Sequence, residues 1–207
     1  NPDLSIDERV RDLLGRMTPD EKFWQLYMTP ASAVIGSDPI TAAQYKNGIF
    51  GFQVSASSKS KEATQQLLNY DTKESGLMLV RKINSIQKYF VEQTRLGIPI
   101  IAFDESLHGL MREGATSFPQ SIGLAATFDT TLMHDVATAI AKETKARGIR
   151  QILSPVINIA SDVRWGRVEE TYGEDPFLTS AMAVAYVSAF EKMGIITTPK
   201  HLIANVG

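Results

Sequence analysis

The dipeptide Gly-Ile recurs at Gly48-Ile49, Gly97-Ile98, Gly148-Ile149 and Gly194-Ile195, at intervals of 49, 51 and 46 residues. At the last three, an amphipathic stretch with helical spacing ends near the glycine and a β-branched apolar run begins. Glycine suits the left-handed residue that closes a helix, and a β-branched run of four to eight residues suits a buried strand. The spacing predicts strands over 49–54, 98–103, 151–159 and 195–199. Between them lie helices carrying Leu79, Val80, Ile83, Ile86 and Phe90, then Leu132, Val136, Ala139 and Ile140, then Met182, Val184, Val187 and Phe190. Long helical crossovers between short apolar strands imply a parallel sheet built from βαβ units.

Residues 1–46 read as N-terminal helices and 47–207 as four βα units. Ser5-Ile6-Asp7-Glu8 and Thr18-Pro19-Asp20-Glu21 both have the form of a capping box. Behind them, Ile6, Val10, Leu13, Leu14 and Met17 form one apolar stripe, and Phe23, Leu26 and Tyr27 a second. Ser55 to Lys61 has no apolar period and reads as a surface loop. Four consecutive βα units fit either an open doubly wound sheet or part of a closed (β/α)₈ barrel. Gly48-Ile49-Phe50-Gly51 lacks the spacing of a phosphate-binding turn and lies within the strand itself, which favours an α/β, TIM-barrel-like fold with about its first four units present. Four such strands would leave open sheet edges, so the remainder of the same polypeptide or a partner chain is expected to complete the barrel.

The composition narrows the function classes. With 43% hydrophobic and 21% charged residues, the chain has the make-up of a globular domain, and its net charge of −2 gives no attraction for nucleic acid. It has no cysteine, which excludes disulfides and thiolate metal sites. No apolar run reaches the length of a membrane span. The first residue, Asn1, reads as a processed or trimmed terminus, compatible with a removed signal peptide.

The residues that carry chemistry cluster at strand exits, where parallel α/β folds place their ligands. The second strand is followed by Asp104-Glu105-Ser106-Leu107-His108. Neighbours on extended backbone point apart, so one of the two carboxylates should face a ligand. His108 reads better as a local hydrogen-bonding residue. The third strand leads to Asn158, Asp162, Arg164, Trp165, Arg167, Glu169, Glu170, Glu174 and Asp175. Arg164, Glu170, Glu174 and Asp175 read as an ion-pair network pinning the loop, Trp165 as packing, and Arg167 as a guanidinium able to clamp vicinal hydroxyls. The fourth strand ends at Lys200-His201. The histidines His108, His134 and His201 are far apart and form no metal-ligand spacing, and no cofactor motif is present. Acceptors, a guanidinium, an ammonium and an imidazole at one barrel mouth suit a neutral polyhydroxylated ligand, a sugar ring above all.

Five segments in this order resemble glycoside hydrolase family 3: 13–22 with Gln25-Leu26, Asp104-Glu105-Ser106-Leu107-His108-Gly109, 118–127, 164–176 and Lys200-His201. The resemblance implies a (β/α)₈ barrel domain and a retaining exo-β-glycosidase acting on terminal β-linked sugars, β-glucosidase being the leading type. It implies that Glu105, Arg167, Lys200 and His201 bind the terminal sugar, with Asp104, His108, Arg164 and Trp165 as possible support. Many family glucosidases carry Asp where this chain has Glu105, which raises a β-xylosidase-like specificity. The family's nucleophile and acid/base fall beyond Gly207, so residues 1–207 alone are expected to be catalytically silent. A periplasmic or extracellular location is expected, and a truncated sugar-binding half barrel is the alternative.

Overall fold

A computed structural model describes residues 2–30, 43–57, 69–70, 73–110 and 112–202. Two short helices open the chain, α1 (Ile6–Arg16) and α2 (Pro19–Trp24), and both expected capping boxes are formed. Ser5 Oγ and Thr18 Oγ1 accept the amides of Glu8 and Glu21, whose carboxylates accept the Ser5 and Thr18 amides in return. The two predicted apolar stripes are not core. No residue of α1 is buried, and Phe23, Leu26 and Tyr27 are exposed. The reason is length: α2 stops after six residues, so Leu26 and Tyr27 leave its face, and Trp24 packs on Tyr45 instead.

The chain then forms β1 (Met28–Pro30), a strand inside the segment expected to be purely helical. It is followed by β2 (Gly51–Gln53), β3 (Ala56–Ser57), β4 (Asn69–Tyr70), α3 (Gly76–Gln93), β5 (Ile101–Asp104), α4 (Ser121–Ala125), α5 (Thr130–Ala146), β6 (Gln151–Ile152) and α6 (Pro176–Lys192). The main sheet runs β1-β2-β5-β6, parallel throughout, with Phe52 level with both Thr29 and Ala102. A fifth parallel run, through Ile196 and Lys200, is joined to Gln151 and Val156 by isolated bridges. The four expected units are therefore preceded by one more strand, and the parallel α/β architecture is that of a partial barrel. β3 and β4 pair antiparallel in a separate two-stranded sheet, so part of the stretch read as a plain loop is a short ladder, while 58–61 lie outside the described residues.

Strand ends also differ from expectation. The run predicted over 151–159 pairs regularly only as far as Ile152, because Pro155 has no amide to give, and it resumes as an isolated bridge from Val156 to Lys200. Gly148 and Gly194 follow the helix caps Arg147 and Met193 with φ of 83° and 72°, as the Gly-Ile pattern requires, whereas Gly97 lies three residues past the cap Thr94. Gly51 is needed for a different reason. A Cβ there would lie 2.2 Å from the Ile101 carbonyl oxygen, so β2 and β5 pair only around a bare α-carbon.

The core lies between the sheet and helices α3, α5 and α6. Phe52, Phe90 and Tyr45 meet with ring centroids 5.2–6.4 Å apart. Leu79, Ile83 and Ile86 of α3, Met133, Val136 and Ile140 of α5, and Met182, Tyr186 and Phe190 of α6 complete it. Val184, expected in that stripe, is exposed, and Ala185 and Ala189 take its place where α5 and α6 approach closely. Buried side chains of this size each contribute about 1.5–3 kcal/mol, so the rim at the strand exits rests on a firm base.

Candidate functional site

The exits of β5, of β6 and of the fifth run converge on one cleft of about 340 Å³, bordered by Glu105, Leu107, His108, Gln120, Arg167, Glu170 and Lys200. The period of two along a strand sorts the adjacent carboxylates at the end of β5. Asp104 turns inward and is 2% exposed. Its Oδ1 accepts a hydrogen bond from Ser55 Oγ and another, of 2.9 Å, from the Glu105 amide, and Arg112 lies 3.8 Å from its other oxygen. Burial pushes its carboxyl up, against the opposing pull of Ser55, the Glu105 amide and Arg112.

Glu105 faces the cleft. Lys200 Nζ reaches both of its oxygens, at 2.9 and 3.2 Å, across 95 residues of sequence. Its carboxyl is nonetheless raised above the usual range, because burial outweighs Lys200 and because Asp104 and Glu170 lie near. Arg167 makes a fork with Glu170, Nε to Oε1 at 2.8 Å and Nη2 to Oε2 at 2.6 Å. That carboxylate raises the guanidinium further. The remaining edge of Arg167 donates from Nη1 to His201 Nε2 at 3.2 Å. The other side of the imidazole meets Asn158, whose Oδ1 lies 2.9 Å from Nδ1 and 3.0 Å from the His201 amide. Burial first, then the cations Arg167 and Lys200, hold His201 below its ordinary value.

The structure thus brings Glu105, Arg167, Lys200 and His201 together. Asp104 is the floor beneath Glu105 rather than a ligand contact, and His108 lines the cleft while its Nδ1 is bound to the Phe118 carbonyl at 2.9 Å. Arg164 and Trp165 do not join them. Arg164 is spent on Asp162 in open solvent, and Trp165 is buried in the loop base. The expected loop-wide ion network resolves into separate local pairs, Arg164 with Asp162 and Arg167 with Glu170, while Asp175 caps α6 by accepting the amides of Phe177 and Leu178. Sequence reading assigned no role to Asn158, to Glu170 as the holder of Arg167, or to Arg112. The available signal for Asn158 was its place, at the exit end of the third predicted strand as Glu105 is just past the exit of the second. Among the described residues no group of three or more His, Asp or Glu is set to hold a metal ion, and no helix is long and apolar enough to cross a membrane.

A parallel sheet with covering helices and a polar cleft at its strand exits defines a domain of the α/β barrel type. The chain belongs to glycosyl hydrolase family 3: the family's N-terminal domain matches residues 20–207. It is 34% identical to β-glucosidase C of Emericella nidulans over 97% of its own length and 33% of that protein's. It is 31% identical to a periplasmic β-glucosidase/β-xylosidase of Dickeya chrysanthemi, again over 97% of its length and 32% of the relative's. A solved β-glucosidase from Erythrobacter marinus superposes with a TM-score of 0.80 at 34% identity, covering 97% of this chain and 26% of that one. The chain therefore spans about a third of the length of these curated relatives.

Proposed function

We propose that these residues form the sugar-gripping part of a retaining exo-β-glycosidase that removes terminal β-linked sugars, with glucose as the leading substrate. The observation that carries the reading is the pairing of Glu105 with Lys200 and of Arg167 with His201 around one cleft. Charged acceptors and donors in fixed geometry are what a ring of hydroxyls requires, and each charge already has a protein partner when no sugar is bound. The lining holds Asp104, Glu105, Glu169 and Glu170 against Arg167 and Lys200, which disfavours uronic acids and sugar phosphates.

Retaining cleavage needs a nucleophilic carboxylate and a separate acid. Among the described residues that line the cleft, Asp104 is sealed, Glu105 is held by Lys200 and Glu170 by Arg167, which leaves Glu169 at the rim. One carboxylate cannot fill both roles. We therefore assign neither role to these residues and place nucleophile and acid/base in further polypeptide, so that residues 1–207 alone bind sugar without cleaving it. Glu105 also favours a second reading, β-xylosidase: a side chain one methylene longer than Asp occupies the space of a hexose hydroxymethyl group. An extracytoplasmic location belongs to the same proposal, supported by the periplasmic relative.

The test is hydrolysis of 4-nitrophenyl β-D-glucoside and β-D-xyloside by the complete gene product, with the anomer of the released sugar read by NMR. Release of the β-anomer is expected first. Release of the α-anomer would overturn retention, and turnover by residues 1–207 alone would overturn the placement of the catalytic carboxylates.

A further inference from the structure

The contacts of His201 fix more than its position. Its backbone amide can only donate, so the Asn158 atom 3.0 Å away must be the carbonyl oxygen. That same oxygen lies 2.9 Å from Nδ1, so Nδ1 must carry a proton. On the opposite edge Arg167 Nη1, 3.2 Å from Nε2, can also only donate, so Nε2 must be a bare lone pair. Two independent neighbours thus dictate one neutral tautomer. The imidazole becomes a link that takes a hydrogen bond from Arg167 and gives one to Asn158.

We propose that Asn158 is a positioning residue: it fixes His201 as a neutral acceptor toward Arg167, and thereby keeps Arg167 aimed at the sugar and sets the acid limit of sugar binding. Arg167 is held at three points, two by Glu170 and one by His201. Losing the third frees the guanidinium to swing about the Glu170 fork. Protonating Nε2 does the same and adds a second positive charge facing the first. The other charged groups bearing on the ring are Lys200, which opposes protonation, and Glu170, which favours it. An amide at 158 leaves that balance on the neutral side, because it supplies an acceptor without supplying a negative charge. A carboxylate there would accept both hydrogen bonds equally well and stabilise the imidazolium.

The link to sugar binding rests on the glycosidase reading, whereas the tautomer does not, and the tests separate them. In the complete gene product with ¹⁵N-labelled histidine, His201 should show a protonated Nδ1 and a bare Nε2 at pH 7. A protonated Nε2 or an imidazolium at that pH would overturn the proposal with no substrate involved. In Asn158→Asp the acid limb of kcat/KM for the aryl glycoside should move up by about one pH unit, with the alkaline plateau unchanged. In Asn158→Leu, which removes the shared acceptor, KM should rise about tenfold while kcat changes less. A purely structural role predicts lower stability in both variants with the acid limb where the wild type has it, and that result would sink the proposal. Should both variants misfold, the wild-type ¹⁵N spectrum decides alone. A wild type that hydrolyses no glycoside would remove the glycosidase reading and leave the tautomer to be judged by the same spectrum.

Discussion

The two rims of the sheet each carry a glutamate bound to a cation, and the two pairs behave in opposite ways. At the strand entrances Glu21 takes a fork from Arg95, Nε to Oε1 at 2.8 Å, and Arg95 also donates to the Arg16 carbonyl. The same carboxylate closes the capping box with the Thr18 amide. Arg95 and then the Thr18 amide lower Glu21 from 4.5 to about 2. At the strand exits Glu105 has a partner at similar distance, yet its carboxyl is raised. The difference lies first in the donors, because both carboxylates are largely out of solvent, 7% and 25% exposed, and burial raises each. Glu21 has the Arg95 fork and the Thr18 amide, which together outweigh its burial. Glu105 has the Lys200 ammonium, which burial outweighs, with Asp104 and Glu170 adding to the rise. One pair is a clamp between α2 and the loop that follows α3, and the other lies in the cleft proposed to take the sugar.

The strongest way to break this contrast is Lys200→Met in the complete gene product. It strands Glu105 without a counter-charge and removes a donor from the sugar, so kcat/KM should fall about 100-fold, equivalent to about 2.7 kcal/mol. Steady-state kinetics with folding checked by circular dichroism would show it, and unchanged kinetics would take Lys200 out of the site. Next in size is Glu105→Asp. Withdrawing the carboxylate by one methylene should raise the glucoside-to-xyloside ratio of kcat/KM about tenfold. A ratio that stays fixed would mean that Glu105 does not sense the hydroxymethyl group.

The smallest effect belongs to the other rim. Glu21→Gln should leave glycoside kinetics untouched and cost about 1 kcal/mol at neutral pH, modest because Arg95 is half exposed. The folded value of Glu21 lies below its unfolded one, so the contribution is fully present above pH 4.5 and disappears as pH falls through about 2. Denaturation of wild type and variant should therefore differ at pH 7 and converge in acid. A constant difference across that range would show that the ion pair is not what Gln removes.

Much of this was readable in the chain because the requirements were local. The capping boxes at Ser5 and Thr18 need only four consecutive residues, and the glycines at 148 and 194 need only a positive φ after a helix. The split between Asp104 and Glu105 follows from strand alternation. Local reasoning fails where partners are remote or elements are short. β1 is three half-buried residues at the sheet edge ending in proline, too brief for any period to show. Asn158 meets His201 across 43 residues, and nothing near it in sequence announces the contact. Val184 was misplaced on its stripe, because two residues on from Met182 is about 200° around the helix and faces away from the buried side.

The distance in sequence between Glu105 and Lys200 also bears on how the protein is made. At about 5–20 residues per second, the lysine is polymerised about 5–20 s after the glutamate it will neutralise. Throughout that interval the nascent chain carries β5 with an acid at its tip and no ammonium to receive it, while Asp104 can already find Ser55 behind it. The back of the cleft is thus able to form early in synthesis, and its front is assembled among the last of the contacts described here. A ribosome that stalls before it reaches Lys200 would release a sheet whose cleft has never had its ammonium side.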